Sequence, residues 1–408
     1  MQPFADKRAR KKDGHTVSIL DGGIRASLRR AEHAPSSLSD ETYAKLLSAD
    51  GSDLDALCVL ADAVRHDAVG DEVTFVINRN IDTTVVGRGD EASRHFVEVL
   101  TDEAWRLGAT EICMQGPLPF GAPDNGYLAL VGAITARAPG IHLHAFRPAE
   151  IFDGATRLAI SPREFLETAK SAGLGSVPGT AARILNDEVR AVLLGGPDLP
   201  VATWINLIIT AHEVGLNSTA TMVYGHVETP AQQVAHLRTL ATIQDRTGGF
   251  TEFIPMPYVP QNGPGHLLDV ARPGPTMRET RALHAVARLM LHGRIDHVQA
   301  AWTKLGTRLS QDVLCGGADD LGGLLLDGEL SPSAGQEAGL ELTITDVERL
   351  SNQINRTTRQ RTTCYGDPAL ELAAAELKPG RRRANFNVGT HDATITARST
   401  HDSQDRPS

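Results

Sequence analysis

Val73-Thr74-Phe75-Val76-Ile77-Asn78-Arg79-Asn80-Ile81-Asp82 is the stretch on which the fold turns. β-Branched and aromatic residues fill its first half, which reads as a strand over Val73–Asn78. The chain then runs through Thr83-Thr84-Val85-Val86-Gly87-Arg88-Gly89-Asp90 straight into a helical pattern over about 91–107. Outward from this unit the alternation repeats. Strands are expected at Glu111–Gln115, His142–Phe146, Gly175–Val177, Ser218–Tyr224, Glu252–Pro255 and Val298–Trp302. Helices are expected at about 126–137, 162–172, 181–193, 201–214, 230–245, 276–291 and 307–314. Such alternation gives a parallel sheet covered by helices, and right-handed crossovers curl it toward closure. The expected class is α/β: a (β/α) barrel, complete or partial, over 71–366. Functional residues belong where strands run into their following loops.

The flanks read differently. Residues 16–70 form a helical extension with breaks at Pro35-Ser36-Ser37 and Asp50-Gly51-Ser52. Ser39-Asp40-Glu41 and Ser52-Asp53-Leu54-Asp55 each place a capping oxygen before acidic first-turn residues. Residues 1–15 are expected to be disordered, and 367–408 to hold a short helix, Ala369–Leu377, and a disordered polar tail. The 408 residues carry a net charge of −10, against a nucleic-acid partner. The one dense basic run, Arg381-Arg382-Arg383, falls in that tail. No apolar stretch reaches the ~20 residues of a membrane span. The charged start has no apolar run behind it, so no secretory signal is read and a cytoplasmic location is expected.

Four cysteines are scattered: Cys58, Cys113, Cys315 and Cys364, the closest two 49 positions apart. Iron–sulfur clusters and CxxC zinc sites need thiolates closely spaced on one loop. Cys58 and Cys113 sit in apolar patterns and read as small buried hydrophobes. Asn78, Gln115, His144, Tyr224, Glu252 and Trp302 lie at or near strand ends, and Glu150, His226, Lys304 and Asp320 in the loops just after. Together they suit a small-molecule ligand that needs several fixed donors and acceptors. The competing reading is that some are buried framework groups pinning loops. His142 and His144 face the same side of a strand and can chelate a metal with His226 or Glu252, the basis of a metal-dependent hydrolase alternative. No metal is the expectation. Ser218, Thr219 and Thr221 have no placed base, so no catalytic residue is assigned. Gly316-Gly317 and Gly322-Gly323 read as turns that let a loop approach the barrel mouth.

Longer blocks carry a family resemblance. They include His144-Ala145-Phe146-Arg147-Pro148-Ala149-Glu150-Ile151, Thr221-Met222-Val223-Tyr224-Gly225-His226-Val227-Glu228-Thr229-Pro230 and Trp302-Thr303-Lys304-Leu305-Gly306. From about residue 20 to 366 the chain resembles the tyrosine-dependent half of FO synthase, a radical-SAM family of deazaflavin biosynthesis. The resemblance implies a radical-SAM barrel, a [4Fe-4S] cluster and SAM. It also implies transfer of a tyrosine-derived 4-hydroxybenzyl fragment to 5-amino-6-(D-ribitylamino)uracil.

Two departures bear on this. Family members follow the first strand with a CxxxCxxC cluster loop, and 83–90 contain no cysteine. Where relatives read Met-Gln-Gly-Gly, this chain reads Met114-Gln115-Gly116-Pro117, so Gly116 marks a degenerate SAM-binding strand end. The expectation is a homologue that has lost cluster and SAM. It would keep a pocket for a ribityl-aminouracil-, flavin- or deazaflavin-like molecule, with non-radical chemistry or binding only. Alternatives are the nominal transferase with its cluster loop deleted, a pseudoenzyme scaffold for an intact radical-SAM partner protein, and the metal-dependent hydrolase.

Overall fold

A computed structural model of the chain describes residues 22–196, 198–263, 265–324, 329–331, 337–338 and 340–368. The expected disordered ends and the Ala369–Leu377 helix lie outside the described residues, apart from 367 and 368. The strands are β1 Val73–Val76, β2 Asn78–Asp82, β3 Glu111–Gln115, β4 His142–Ala145, β5 Leu174–Val177, β6 Asn217–Tyr224, β7 Phe250–Pro257, β8 Asp320–Gly323, β9 Glu329–Leu330, β10 Glu337–Ala338 and β11 Thr358–Gln360. A six-stranded sheet has the order β2-β3-β4-β5-β6-β7, every pair parallel. A second parallel sheet has the order β11-β1-β8. Isolated bridges Phe253↔Val298 and Gln299↔Asp320 carry the pairing from β7 to β8. Since β1 runs into β2 through Ile77 alone, the pairing returns to its origin and the barrel is complete.

The expected first strand, Val73–Asn78, is therefore two elements that change partners at Ile77. Below that point the stave pairs with β8 and β11, and above it with β3, which the Ile77 carbonyl joins by accepting from the Thr110 amide at 2.9 Å. The polar half, Asn78-Arg79-Asn80-Ile81-Asp82, is buried throughout because its charges find partners, as Arg79 does with Glu103 at 2.7 Å.

Three further expectations shift. The helix placed over 181–193 starts at Asp187 with Asn186 as its cap. Before it, Ala181 and Arg183 have φ of 66° and 50°, and Arg190 Nη1 binds the Ala181 and Ala182 carbonyls. In Val298–Trp302 only Val298 and Gln299 bridge, and Trp302 opens the helix Trp302–Leu314. Gly322-Gly323, read as a turn, are part of stave β8. A Cβ on Gly323 would stand 2.1 Å from Asn78 Oδ1, so glycine there makes room for an inward polar side chain.

The N-terminal helices close one side of the barrel. Ser39 caps Asp40–Leu46 by accepting from the Thr42 amide at 3.3 Å. The next helix, Gly51–Val69, is capped by Asp50, two residues earlier than the Ser52 expected. It packs on Met277–Leu291, where every residue from Ala282 to Leu291 is buried. From Ala282 onward that helix is buried, and each large apolar side chain so buried contributes roughly 1.5–3 kcal/mol. No described helix is long and apolar enough to cross a membrane.

Candidate functional site

A cavity of about 150 Å³ occupies the barrel interior. Six of the ten expected ligand residues line it: Asn78 on β2, Gln115 on β3, His144 on β4, Glu252 on β7, and Trp302 and Lys304 at the start of their helix. Sequence reasoning missed Asn80, Glu111, Cys113, Thr180, Gln299 and Arg361, which also line it. Cys113 corrects an expectation: it is a cavity-wall thiol, not a packed hydrophobe. On β3 the apolar Ile112 and Met114 turn outward and are fully buried, while Glu111, Cys113 and Gln115 face in. That period-two signal was legible in Glu-Ile-Cys-Met-Gln. Strand register sets Asn80, Cys113, His144 and Ser176 side by side around the wall.

The histidine pair does share a face, but it converges on one serine. His142 Nε2 and His144 Nδ1 lie 2.7 and 2.6 Å from Ser176 Oγ. Burial, helped by the Arg361 charge, pushes His144 down to about 3, so its ring is neutral at physiological pH. Among the described residues no group of three or more His, Cys, Asp or Glu is arranged to hold a metal.

The closed end of the cavity is a buried charge network. Arg361, 1 % exposed, donates Nε to Asp320 Oδ2 at 2.5 Å and Nη2 to Asp320 Oδ1 at 2.8 Å. Nη2 also reaches Glu252 Oε2 at 3.2 Å, and Tyr365 Oη donates to the same oxygen at 2.9 Å. The guanidinium lies 4.0 Å from the Tyr365 ring centroid, and that ring stacks on His297 at 3.4 Å. Thr363 Oγ1 donates to Glu111 Oε2 at 2.7 Å. Burial pushes the Glu252 carboxyl up to about 7; Arg361 opposes this and the Asp320 charge adds to it. Arg361, Thr363 and Tyr365 all follow the three-residue β11, whose polar sequence carries no local strand signal.

Four expected site residues stay outside the cavity lining. Tyr224 points away from the barrel axis and hydrogen-bonds Thr280 Oγ1 at 3.1 Å. His226 Nδ1 lies 2.9 Å from Glu228, which also accepts from the Gly225 amide at 2.6 Å. Burial works to raise the Glu228 carboxyl, but the His226 side chain and the Gly225 amide outweigh it and hold it at about 2. This pair pins the loop after β6. Glu150 is the third residue of the helix Pro148–Arg157, accepting from the Arg147 amide at 2.8 Å and the Gly116 amide at 2.9 Å. Gly116 therefore has its N–H engaged by a carboxylate. Asp320 stands behind Arg361 and is fully buried.

Comparison with known proteins places the chain in a family. Residues 247–362 match the family model described as CofH/MqnC C-terminal region. FO synthase of Mycobacterium tuberculosis (strain CDC 1551 / Oshkosh) is 48% identical over 384 residues, 89% of this chain and 45% of that protein. The 5-amino-6-(D-ribitylamino)uracil–L-tyrosine 4-hydroxyphenyl transferase of Methanothermobacter thermautotrophicus is 37% identical over 354 residues, 83% of this chain and 96% of that protein. The chain thus spans about half the length of the FO synthases it matches. Among solved structures, methylornithine synthase (PylB) aligns over 86% of this chain and 99% of its own, with a TM-score of 0.58 at 16% identity. That likeness shows the fold, a (β/α) barrel.

Proposed function

The chain belongs to the family of the ribitylaminouracil–tyrosine 4-hydroxyphenyl transferases and the matching half of FO synthase, and from that premise we propose that its cavity binds a ribityl-aminouracil- or deazaflavin-like molecule without radical-SAM chemistry. The observation that carries the proposal is the polar interior of the barrel. Asn78, Gln115, Thr180, His144, Glu252 and Gln299 meet in one cavity, a set suited to a polyol joined to a polar ring.

The residues present do not fit the cluster that the family implies. Cys113 is the one cysteine on the cavity wall; Cys58 is buried in the helix Gly51–Val69, Cys315 follows the helix Trp302–Leu314, and Cys364 is exposed. Where a cluster loop would leave β2, Asp82 caps a four-residue helix, its Oδ1 accepting from the Thr84 amide at 2.8 Å. A cluster needs several thiolates on one loop, so no step is derived through it. The SAM-binding strand end fits no better: Glu150 engages the Gly116 amide and Pro117 has none to offer.

Two measurements test this. Anaerobic reconstitution with iron and sulfide should leave the protein colourless; about four irons per chain with a cluster EPR signal on reduction would overturn the cluster-free reading. A ribityl-aminouracil should raise the melting temperature, by about 2.7 kcal/mol of added stability at a hundred times its Kd. No shift with ribityl-aminouracil, flavin or deazaflavin would remove the ligand reading.

A further inference from the structure

The two ends of the cavity differ in what they offer a ligand, and the difference orients one. Toward the strand ends stand Gln115, Thr180, Trp302 and Lys304, side chains that mix donors and acceptors. At the closed end Asp320 and Glu252 hydrogen-bond the Arg361 guanidinium, and Glu111, held by Thr363, bears on Glu252 through its charge. Asp320 is consumed by Arg361 and by Thr74 Oγ1 at 2.6 Å. The other two are half satisfied. Glu252 uses Oε2 for both Arg361 and Tyr365, and Glu111 uses Oε2 for Thr363; among the described residues neither Oε1 has a hydrogen-bond partner. Both side chains are more than nine-tenths buried and both line the cavity.

Two groups outside this carboxylate set add to it. His144, 6 % exposed, commits Nδ1 to Ser176 and leaves Nε2 without a partner among the described residues. The Gln299 side-chain amide, beside Gly322, likewise makes no hydrogen bond among them. These atoms belong to residues that line the cavity, and the two carboxylate oxygens are acceptors that a molecule bringing donors can engage.

We infer that the closed end is the heterocycle subsite, where Glu252 Oε1 and Glu111 Oε1 accept hydrogen bonds from N–H groups on the edge of a pyrimidinedione or similar lactam ring. The polyol then lies toward Gln115 and Lys304. Hydroxyls both donate and accept and so match the mixed end. Ring N–H and amino groups only donate, and match the end whose open valences are carboxylate oxygens. This assignment rests on the ligand-binding reading proposed above and adds the direction of the ligand and the atoms that recognise it.

The test is calorimetric titration of the full chain with 6-(D-ribitylamino)uracil, the same compound methylated at its ring nitrogens, and ribitol. The parent should bind and the methylated compound should lose on the order of a hundredfold or more, because a site built to accept an N–H rejects a ligand that lacks it. Ribitol alone should bind far more weakly than the parent. Glu252→Gln and Glu111→Gln should each weaken the parent at least tenfold and narrow its advantage over the methylated compound. Equal binding of parent and methylated compound to the unmodified chain would overturn the orientation while leaving the ligand reading intact, and needs no variant to fold. Unchanged affinity in both folded variants would do the same. Failure of the unmodified chain to bind the parent at all would remove both.

Discussion

Replacing Glu252 by Gln deletes one ionisable group from the barrel's closed end while keeping its size and an oxygen for Tyr365. In the folded chain burial holds this carboxyl at about 7 against an ordinary 4.5, with Arg361 opposing and Asp320, Tyr365 and Glu111 the other ionisable groups that bear on it. Between those two values the native state binds more protons than the unfolded chain. The contribution of Glu252 is therefore full below about 4.5 and is lost as pH rises through about 7. At ~1.4 kcal/mol per pH unit, the loss between pH 4 and 8 is about 3 kcal/mol. The Glu252→Gln variant carries no such contribution. The stability of the unmodified chain minus that of the variant should fall by about that amount across this range and level off above pH 8. Urea unfolding of both proteins at pH steps, followed by circular dichroism, measures the difference directly. Packing costs of the substitution shift the whole curve and leave its slope untouched. A flat or rising difference would refute the raised carboxyl and the burial from which it chiefly follows.

Arg361→Met should destabilise the fold by about 3–5 kcal/mol, since it strands buried Asp320 and Glu252 without their cation; chemical denaturation at pH 8 checks it, and the deficit should shrink at pH 5 as carboxyls protonate. Tyr224→Phe should cost about 1 kcal/mol through the lost bond to Thr280 and leave ligand affinity unchanged, as titration would show. Buried His144, His212, His236 and His284 sit at about 3 to 4 in place of 6.5. Their contribution is full above pH 6.5 and is lost as pH falls toward 3, so the melting temperature of Glu252→Gln should drop steadily from pH 6.5 downward.

Regular elements with strong local patterns were legible from residue types alone. β3 and the helices 126–137 and 162–172 start and stop where the residue pattern places them. What escaped was whatever depends on the far partner. Asp320-Leu321-Gly322-Gly323 has the glycines of a turn and becomes a strand because β1 pairs with it. Thr358-Arg359-Gln360 is too short and polar to announce itself, and only Val73-Thr74-Phe75 makes it a strand. The site shows the same limit at side-chain scale. Tyr224 ends β6 as a ligand residue might, but Thr219 faces the cavity, and an odd number of steps along a strand turns Tyr224 to the opposite face. His226 and Glu228 look like chemistry in sequence; in space they satisfy each other.

The closed end has a consequence for how the chain is made. Its floor comes from residues 356–365, and Arg356 reaches back to the Asp71 carbonyl across 285 positions of sequence. Pairings so distant form slowly and late, and during synthesis the earlier staves emerge first. A nascent chain that has yet to release Arg361 holds Asp320, Glu252 and Glu111 with no cation among them. A chain cut or stalled before β11 would carry most of the cavity wall but leave Asp320 and Glu252 without the guanidinium that neutralises them.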